Sequence, residues 1–341
     1  MSRGRLRYVD RAPAEVPWRE VHHAADRSEA AVRRAVLDVL RRGVGPEGMA
    51  ALRRSLLRRE PWGLAAERAR VVQAEARATQ PDPDLTDALA RAARAGARVT
   101  WRMAPLRDPD ATRKAHDDER DRRRRPPPIV PRPVLAIRWD LINPWVARWA
   151  ERHSARLVTG IVDQRALRAV IVEAARLGLD LGATDGVDEV LWMLDDGGLG
   201  LGMLDAPRAR AVLRAAETNG WAYDDPRLRA LVERKVRSRA LTIGRHETML
   251  AANRGRELAW DAAETAGWLD PTLVREWVDA DDGRECPICQ RLDAEVVPRG
   301  QYFADPETGV RYARPPAHVQ CRCVVVLVEA ATGRDVEALA A

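Results

Sequence analysis

The sequence predicts a mainly α protein, a multi-helix body followed by a small C-terminal α+β lobe stapled by a metal ion. Three observations lead there. Apolar residues recur at three- and four-residue steps over most of the chain before Gly267. Asn-Pro and Asp-Pro pairs stand where helices would begin. From Asp279 onward the pattern turns to short β-like runs around four cysteines and a histidine.

Between Asp26 and Arg102 the helical period is set by Val32, Val36, Leu37 and Leu40, with Gly43 in the position of a C-terminal cap. Further helices are expected over 47–60, 63–79 and 84–95, the last two separated by Pro81 and Pro83. Asn143-Pro144 suits an N-cap and first turn, and Trp145 and Trp149 then share a face before Gly160. Asp163 to Gly178 repeats that arrangement. Asp225-Pro226 opens the longest periodic segment, with Leu228, Leu231, Val232, Val236, Ala240 and Ile243 on one side, and continues through Ala259 and Trp260. Gly244 and Gly255 are expected to bend it. The DDGGLGLG stretch at 195–202 lacks the preceding strand and the Lys-Ser/Thr of a phosphate loop, so it reads as a connection between helices.

After Asp270-Pro271 one short helix is expected, ending near Trp277. Strands are expected over 294–297, 301–303, 310–313 and 321–328, with Asp305 to Gly309 as a hairpin turn. Residues 108–133 mix charges of both signs, four consecutive arginines and five closely spaced prolines, the composition of an extended linker. The expected organisation is a basic helical region over 1–106, a linker over 107–133, a helical core over 134–275, a Cys/His lobe over 276–330 and a tail over 331–341.

With 341 residues, 46% of them hydrophobic, the chain can bury at least one core and suggests two or three structural units. Phe303 is the only phenylalanine against 11 tryptophans, so aromatic burial falls to indoles, whose N–H groups need partners. Lys114 and Lys235 are the only lysines among 57 basic residues, a bias that a GC-rich genome accounts for. Charge is split unevenly. Residues 1–133 have a net charge of +11 and the remainder −5. A basic front of this kind suits a polyanion, nucleic acid being the usual one, or a solvated arginine-rich surface; Arg122, Arg123, Arg124 and Arg125 are its densest point. No apolar run reaches the roughly 18 residues that cross a bilayer, and the N-terminus lacks the apolar stretch of a signal peptide, so no membrane partner is expected. In a reducing cytoplasm thiols stay reduced, which favours a metal site over disulfides.

The cysteines form Cys286-Pro-Ile-Cys289 and then His318-Val-Gln-Cys321-Arg-Cys323. A CxxC turn offers two thiolates from one bend, and the second cluster offers three further donors, five in all for the four places around zinc. If Cys321 begins a strand, Cys321 and Cys323 share a face and can reach one ion, leaving His318 as a ligand or as a donor behind one. Four buried thiols, or two disulfides, are the other readings. Four protein ligands would leave no open position for water, so the zinc would be structural.

Other polar residues read as ordinary. His22, His23 and His116 are expected to be exposed and His153 partly buried on its helix. Arg239, Arg245 and Glu247 fall on a helix as a salt-bridged or solvated face. Asp281, Asp282 and Glu285 beside the CxxC suit a polar turn, with a second metal as the alternative. No Ser-His-Asp or Cys-His arrangement is present, so an enzyme is not expected.

Arg239-Ala-Leu-Thr-Ile-Gly-Arg-His-Glu-Thr248, then Ala251, Asn253 and Trp260, then Trp277, Asp282 and the CPIC turn, then Pro315-Pro316-Ala-His318-Val-Gln-Cys321-Arg-Cys323, follow one another in an order and spacing that resemble the phage Mu F-like family of minor head proteins. His246 stands where that family typically has Thr, and Val319 where Pro follows the His. The resemblance is dense over about 220–328, thins back to about Asp140 and does not reach the basic front. It implies a minor capsid protein of a tailed phage, prophage or gene-transfer particle, acting in head morphogenesis at the portal vertex and in DNA packaging or ejection. The partners implied are the portal protein, packaged double-stranded DNA, and scaffold or major capsid protein. The location implied is the virion interior near the portal, with the host cytoplasm during assembly. Two other classes compete. One is a zinc-containing DNA-binding regulator, which the strand-rich residues after Cys323 disfavour. The other is a Mu F-type toxin-related protein with nucleic-acid activity, whose appended catalytic domain the 18 residues after Cys323 are not expected to hold.

Overall fold

A computed structural model describes residues 16–78, 82–103, 132–265, 269, 273–280 and 283–329. The linker, including Arg122 to Arg125 and His116, and the tail lie almost wholly outside the described residues, as do Asp281 and Asp282. The helices in chain order are α1 (Val16–Arg41), α2 (Gly45–Leu57), α3 (Trp62–Ala78), α4 (Pro83–Met103), α5 (Arg132–Gly160), α6 (Gln164–Arg176), α7 (Thr184–Leu194), a 3-10 turn at Leu201–Met203, α8 (Ala206–Asn219), α9 (Pro226–Thr265) and the short α10 (Pro287–Leu292). The strands are β1 (Leu273–Val278), β2 (Val296–Val297), β3 (Phe303–Ala304), β4 (Arg311–Tyr312) and β5 (Val324–Glu329).

Helix starts follow the caps. The Asp163 carboxylate accepts from the Arg165 N–H at 2.8 Å, that of Asp205 from Arg208 at 3.1 Å, and that of Asp225 from Arg227 at 2.8 Å. Asn143-Pro144 departs from expectation, because α5 is already helical from Arg132 and runs through Pro144. A helix under way loses one backbone hydrogen bond at proline, whose fixed φ is itself close to helical.

The chain divides into two compact units, each assembled from separated stretches. One takes 31–88 and 150–244 and is helical throughout its described residues, with Leu40, Leu52, Leu56, Leu167, Ile171 and Met193 fully buried. Arg239, read from sequence as part of a salt-bridged or solvated face, is buried there. It donates to the carbonyls of Met203 and Ile161, both at 2.7 Å, beside Asp205 at 3.9 Å. Burial pushes its pKa down, while Asp205 and Asp163 oppose the shift.

The other unit takes 1–30, 89–149 and 245–341 and is built around a three-stranded antiparallel sheet in the order β2-β1-β5. The short helix expected to end near Trp277 is instead the central strand β1, paired from Leu273↔Glu329 to Val278↔Val324. Six residues are too few to be helical on their own account, and two long-range partners settle the conformation. Alternation then divides the side chains. Leu273, Trp277 and Val325 enter one core with Phe303 and the cysteines; Val274, Val324, Val326 and Val328 enter another with Val21, Ala24 and Ala25 of α1 and Met249 and Ala252 of α9. A sheet covered on both faces explains the unbroken VVVLV of β5. Trp277 meets Phe303 edge-on with ring centroids 5.2 Å apart, but its indole N–H, contrary to expectation, has no hydrogen-bond partner among the described residues.

Gly255 has a steric role that the expected bend did not anticipate. A Cβ on Gly255 would lie 1.8 Å from the Ala93 carbonyl oxygen, and one on Gly96 would lie 2.1 Å from that of Ala252. The two helices cross through matching Ala-x-x-Gly steps, and hydrogen is the only side chain that fits. Gly255→Ala should therefore destabilise the protein by about 1–3 kcal/mol or more in urea titration, whereas Gly63→Ala, in open space on α3, should be neutral or gain up to about 1 kcal/mol.

Candidate metal centre

Cys286 is the N-cap of α10 in extended conformation, Pro287 fills the first helical position, and Cys289 follows on the first turn. The Gln290 N–H donates to the Cys286 carbonyl at 3.1 Å, closing the bend that brings the two sulfurs to 3.7 Å. The second set of donors comes from a turn in which the Cys321 N–H donates to the His318 carbonyl at 3.1 Å, with Gln320 at a φ of 65°. That makes Val319 the residue at which proline is favoured in such turns.

The His318 Nδ1 lies 2.7 Å from the Val319 carbonyl oxygen, which can only accept, so this nitrogen holds the proton. The Nε2 lone pair therefore faces Cys286 and Cys289, 3.0 Å from each sulfur. Cys289 is also 3.7 Å from Cys321. The five residues fall into two groups sharing Cys289, one with Cys286 and His318 and the other with Cys321 and Cys323, and each group can hold a metal ion. No carboxylate joins either group among the described residues, and Glu285 is half-buried outside them.

Cys321 is held low by the S–H groups of Cys289 and Cys323, while hydrogen bonding to Cys321 and burial push Cys289 up. Cys323 is pushed up by its contacts with Cys289 and Cys321. A cation would displace these protons, so its binding weakens as pH falls.

Cys321 and Cys323 do not share a strand face as expected, because β5 begins only at Val324. Two polar side chains position the segment instead. The Asn253 carboxamide on α9 donates to the Cys323 carbonyl and accepts from the Val325 N–H, both at 3.3 Å. His22 on α1, expected to be exposed, is half-buried, and its Nε2 meets the Arg322 carbonyl at 2.7 Å. His23 is exposed and His153 half-buried, as expected. Asn253 is fully buried; a lone asparagine on an apolar helix face is the signal that would have marked it.

Charged pairs fix the surrounding lobe. Arg291 on α10 grips Asp305 of the hairpin turn with two bonds of 2.8 and 2.7 Å, and these hold the Asp305 carboxyl far below the usual range. Glu257 on α9 accepts from Arg275 at 2.8 Å, from Arg254 at 3.0 Å and from Arg314. Arg245 pairs with Glu29 at 3.4 Å and Glu247 is buried.

Residues 207–326 match the family model of the phage Mu protein F like proteins. The chain carries a Mu F-like segment. No curated protein and no solved structure matches the chain. The Mu F-like segment runs from α8 into β5 and contains all five metal-ligand candidates together with Asn253 and Glu257. It matches the dense part of the resemblance read from sequence.

Cys289→Ser should reduce bound metal, measured by elemental mass spectrometry of the purified protein, more than Cys323→Ser does, because Cys289 belongs to both groups. Glu276 on β1 supplies a pH test: burial first, and Asp293 second, push it up to about 7. Its pKa in the unfolded chain is about 4.3, so the folded form binds the extra proton between these values and stability falls as pH rises through that window. Glu276→Gln should match the parent near pH 4 and exceed it by about 1–2 kcal/mol at pH 8, read from denaturant midpoints.

Proposed function

We propose that this protein is a minor head protein of a tailed phage, prophage or gene-transfer particle, acting in head morphogenesis at the portal vertex. The observation behind this reading is the Mu F-like match over 207–326, within which four thiols and one imidazole gather into two half-buried to buried groups that share Cys289. Thiolates with imidazole in a compact arrangement suit zinc. In this reading the two three-donor groups, joined at Cys289, close on a single ion with four of the five donors; the ion then serves as a staple with no position for an activated water, and the protein acts without catalysis of its own.

In this reading the lobe depends on zinc for its fold, since its apolar core is small, and the helices supply surfaces for the portal protein and for scaffold or major capsid protein. The basic front, with Arg122 to Arg125 at its densest point, contacts packaged double-stranded DNA through phosphates. The described helices include none long and apolar enough to cross a membrane, which is compatible with a place in the virion interior near the portal after assembly in the host cytoplasm.

The deciding experiment is quantitative mass spectrometry of purified, nuclease-treated particles from an induced culture. Copies at or below the level of the portal protein are expected. Absence from clean particles, with the protein abundant in the lysate, would overturn the virion reading.

A further inference from the structure

Two exposed surfaces in the unit formed by 31–88 and 150–244 carry opposite, unspent charge. The first is an open groove of about 510 Å3 between α6 and α8. Arg165 and Arg168 stand on its α6 wall and Arg210 and Arg214 on its α8 wall; all four are exposed, and none forms an ion pair among the described residues. The two carboxylates that also line it do not cancel this charge, because Arg176 pairs with Glu173 at 2.8 Å and with Glu217 at 3.2 Å, and the Tyr223 hydroxyl donates to Glu173 at 3.0 Å. Val172 lies in the groove with 43% of its surface exposed.

The second surface is the outer face of α7. Val187, Val190 and Leu194 are buried, which turns Asp185, Glu189 and Trp192 outward at i, i+4 and i+7. Asp188 is tied to Arg53, but Asp185 and Glu189 form no ion pair among the described residues, and Trp192 is 36% exposed. Two carboxylates followed by an apolar anchor are thus presented along one helical stripe.

We propose that the α7 face of one copy of this chain docks in the α6/α8 groove of a second copy. Trp192 would cover Val172, while Asp185 and Glu189 meet guanidinium groups on the groove walls, in the manner of an amphipathic helix laid into a groove. The charges are complementary in sign and the apolar patch of each side matches that of the other. One contact accounts for both surfaces. A nucleic-acid backbone would occupy the arginines but leave Val172 uncovered and the acidic tryptophan face unexplained. Because the two surfaces differ, the contact is heterologous and each copy can both offer and accept it.

Sedimentation velocity of the full chain, at low and at high salt, tests this. The parent protein is expected to self-associate, less so as salt rises. The double substitution Arg168→Glu with Arg214→Glu in the groove, and separately Glu189→Arg with Trp192→Ala on α7, should each weaken association by about tenfold or more. All four positions are exposed, and a mixture of the two variants provides the folding control: each keeps one intact surface, so together they should form a one-to-one pair. A parent protein that stays monomeric at low salt would overturn the proposal, as would association indifferent to both variants. So would groove variants that still self-associate but lose affinity for a DNA duplex, which would assign the groove to nucleic acid.

Discussion

The arrangement of the C-terminal lobe depends on one buried amide. Asn253 sits on α9 with no exposed surface, and its two polar atoms are matched to the Cys323 carbonyl and the Val325 N–H. An unsatisfied pair of backbone groups at that depth would cost about 1–3 kcal/mol for each group. The bond pair therefore fixes where β5 begins relative to the helix. Since β5 pairs with β1 over its whole length, the same bonds help set the register of the sheet. They also locate the cysteine turn that precedes it, which the His22 ring secures from α1.

Arginine does more here than decorate a surface. Arg239 and Arg275 are buried, and each spreads its planar donors over two main-chain carbonyls, Met203 with Ile161 and Ala313 with Gln301. Lysine, a point charge with no fork, would satisfy these positions poorly. Burial lowers the pKa of both guanidinium groups, yet carboxylates nearby oppose the shift. Such ion pairs are weak sources of net stability and better understood as fixing one arrangement of elements over its neighbours. The Glu257 cluster links α9 to β1 and to Arg314; the Arg291–Asp305 pair links α10, which bears Cys289, to the β3–β4 turn.

The donor cluster is preorganised by ordinary backbone chemistry. A helix N-cap positions Cys286, the first turn of that helix positions Cys289, and a β-turn positions His318 and Cys321. The contact from His318 to the Val319 carbonyl selects the tautomer whose lone pair faces the sulfurs. Four donors lie around one shared thiol, Cys289, in two groups of three, so loss of Cys323 leaves the group of Cys286, Cys289 and His318 intact, whereas loss of Cys289 breaks both.

Local signals determined the helices and the donor residues. Asp163, Asp205 and Asp225 start helices because a carboxylate just before the first turn needs only nearby N–H groups, and the CxxC spacing with His318 marks donors from chain distance alone. The segment from Asp305 to Gly309 turns as its composition indicates, with the Asp305 N–H donating to the Val310 carbonyl. What only the tertiary structure decided are pairings between residues far apart in the chain. Leu273 to Val278 is a strand because β5 lies beside it, His22 is half-buried because Arg322 offers a carbonyl, and Gly255 is glycine because Ala93 passes within contact. Local propensity could not distinguish these outcomes, since each depends on a partner at least 45 residues away, and the free energy that selects the conformation belongs to the contact between them.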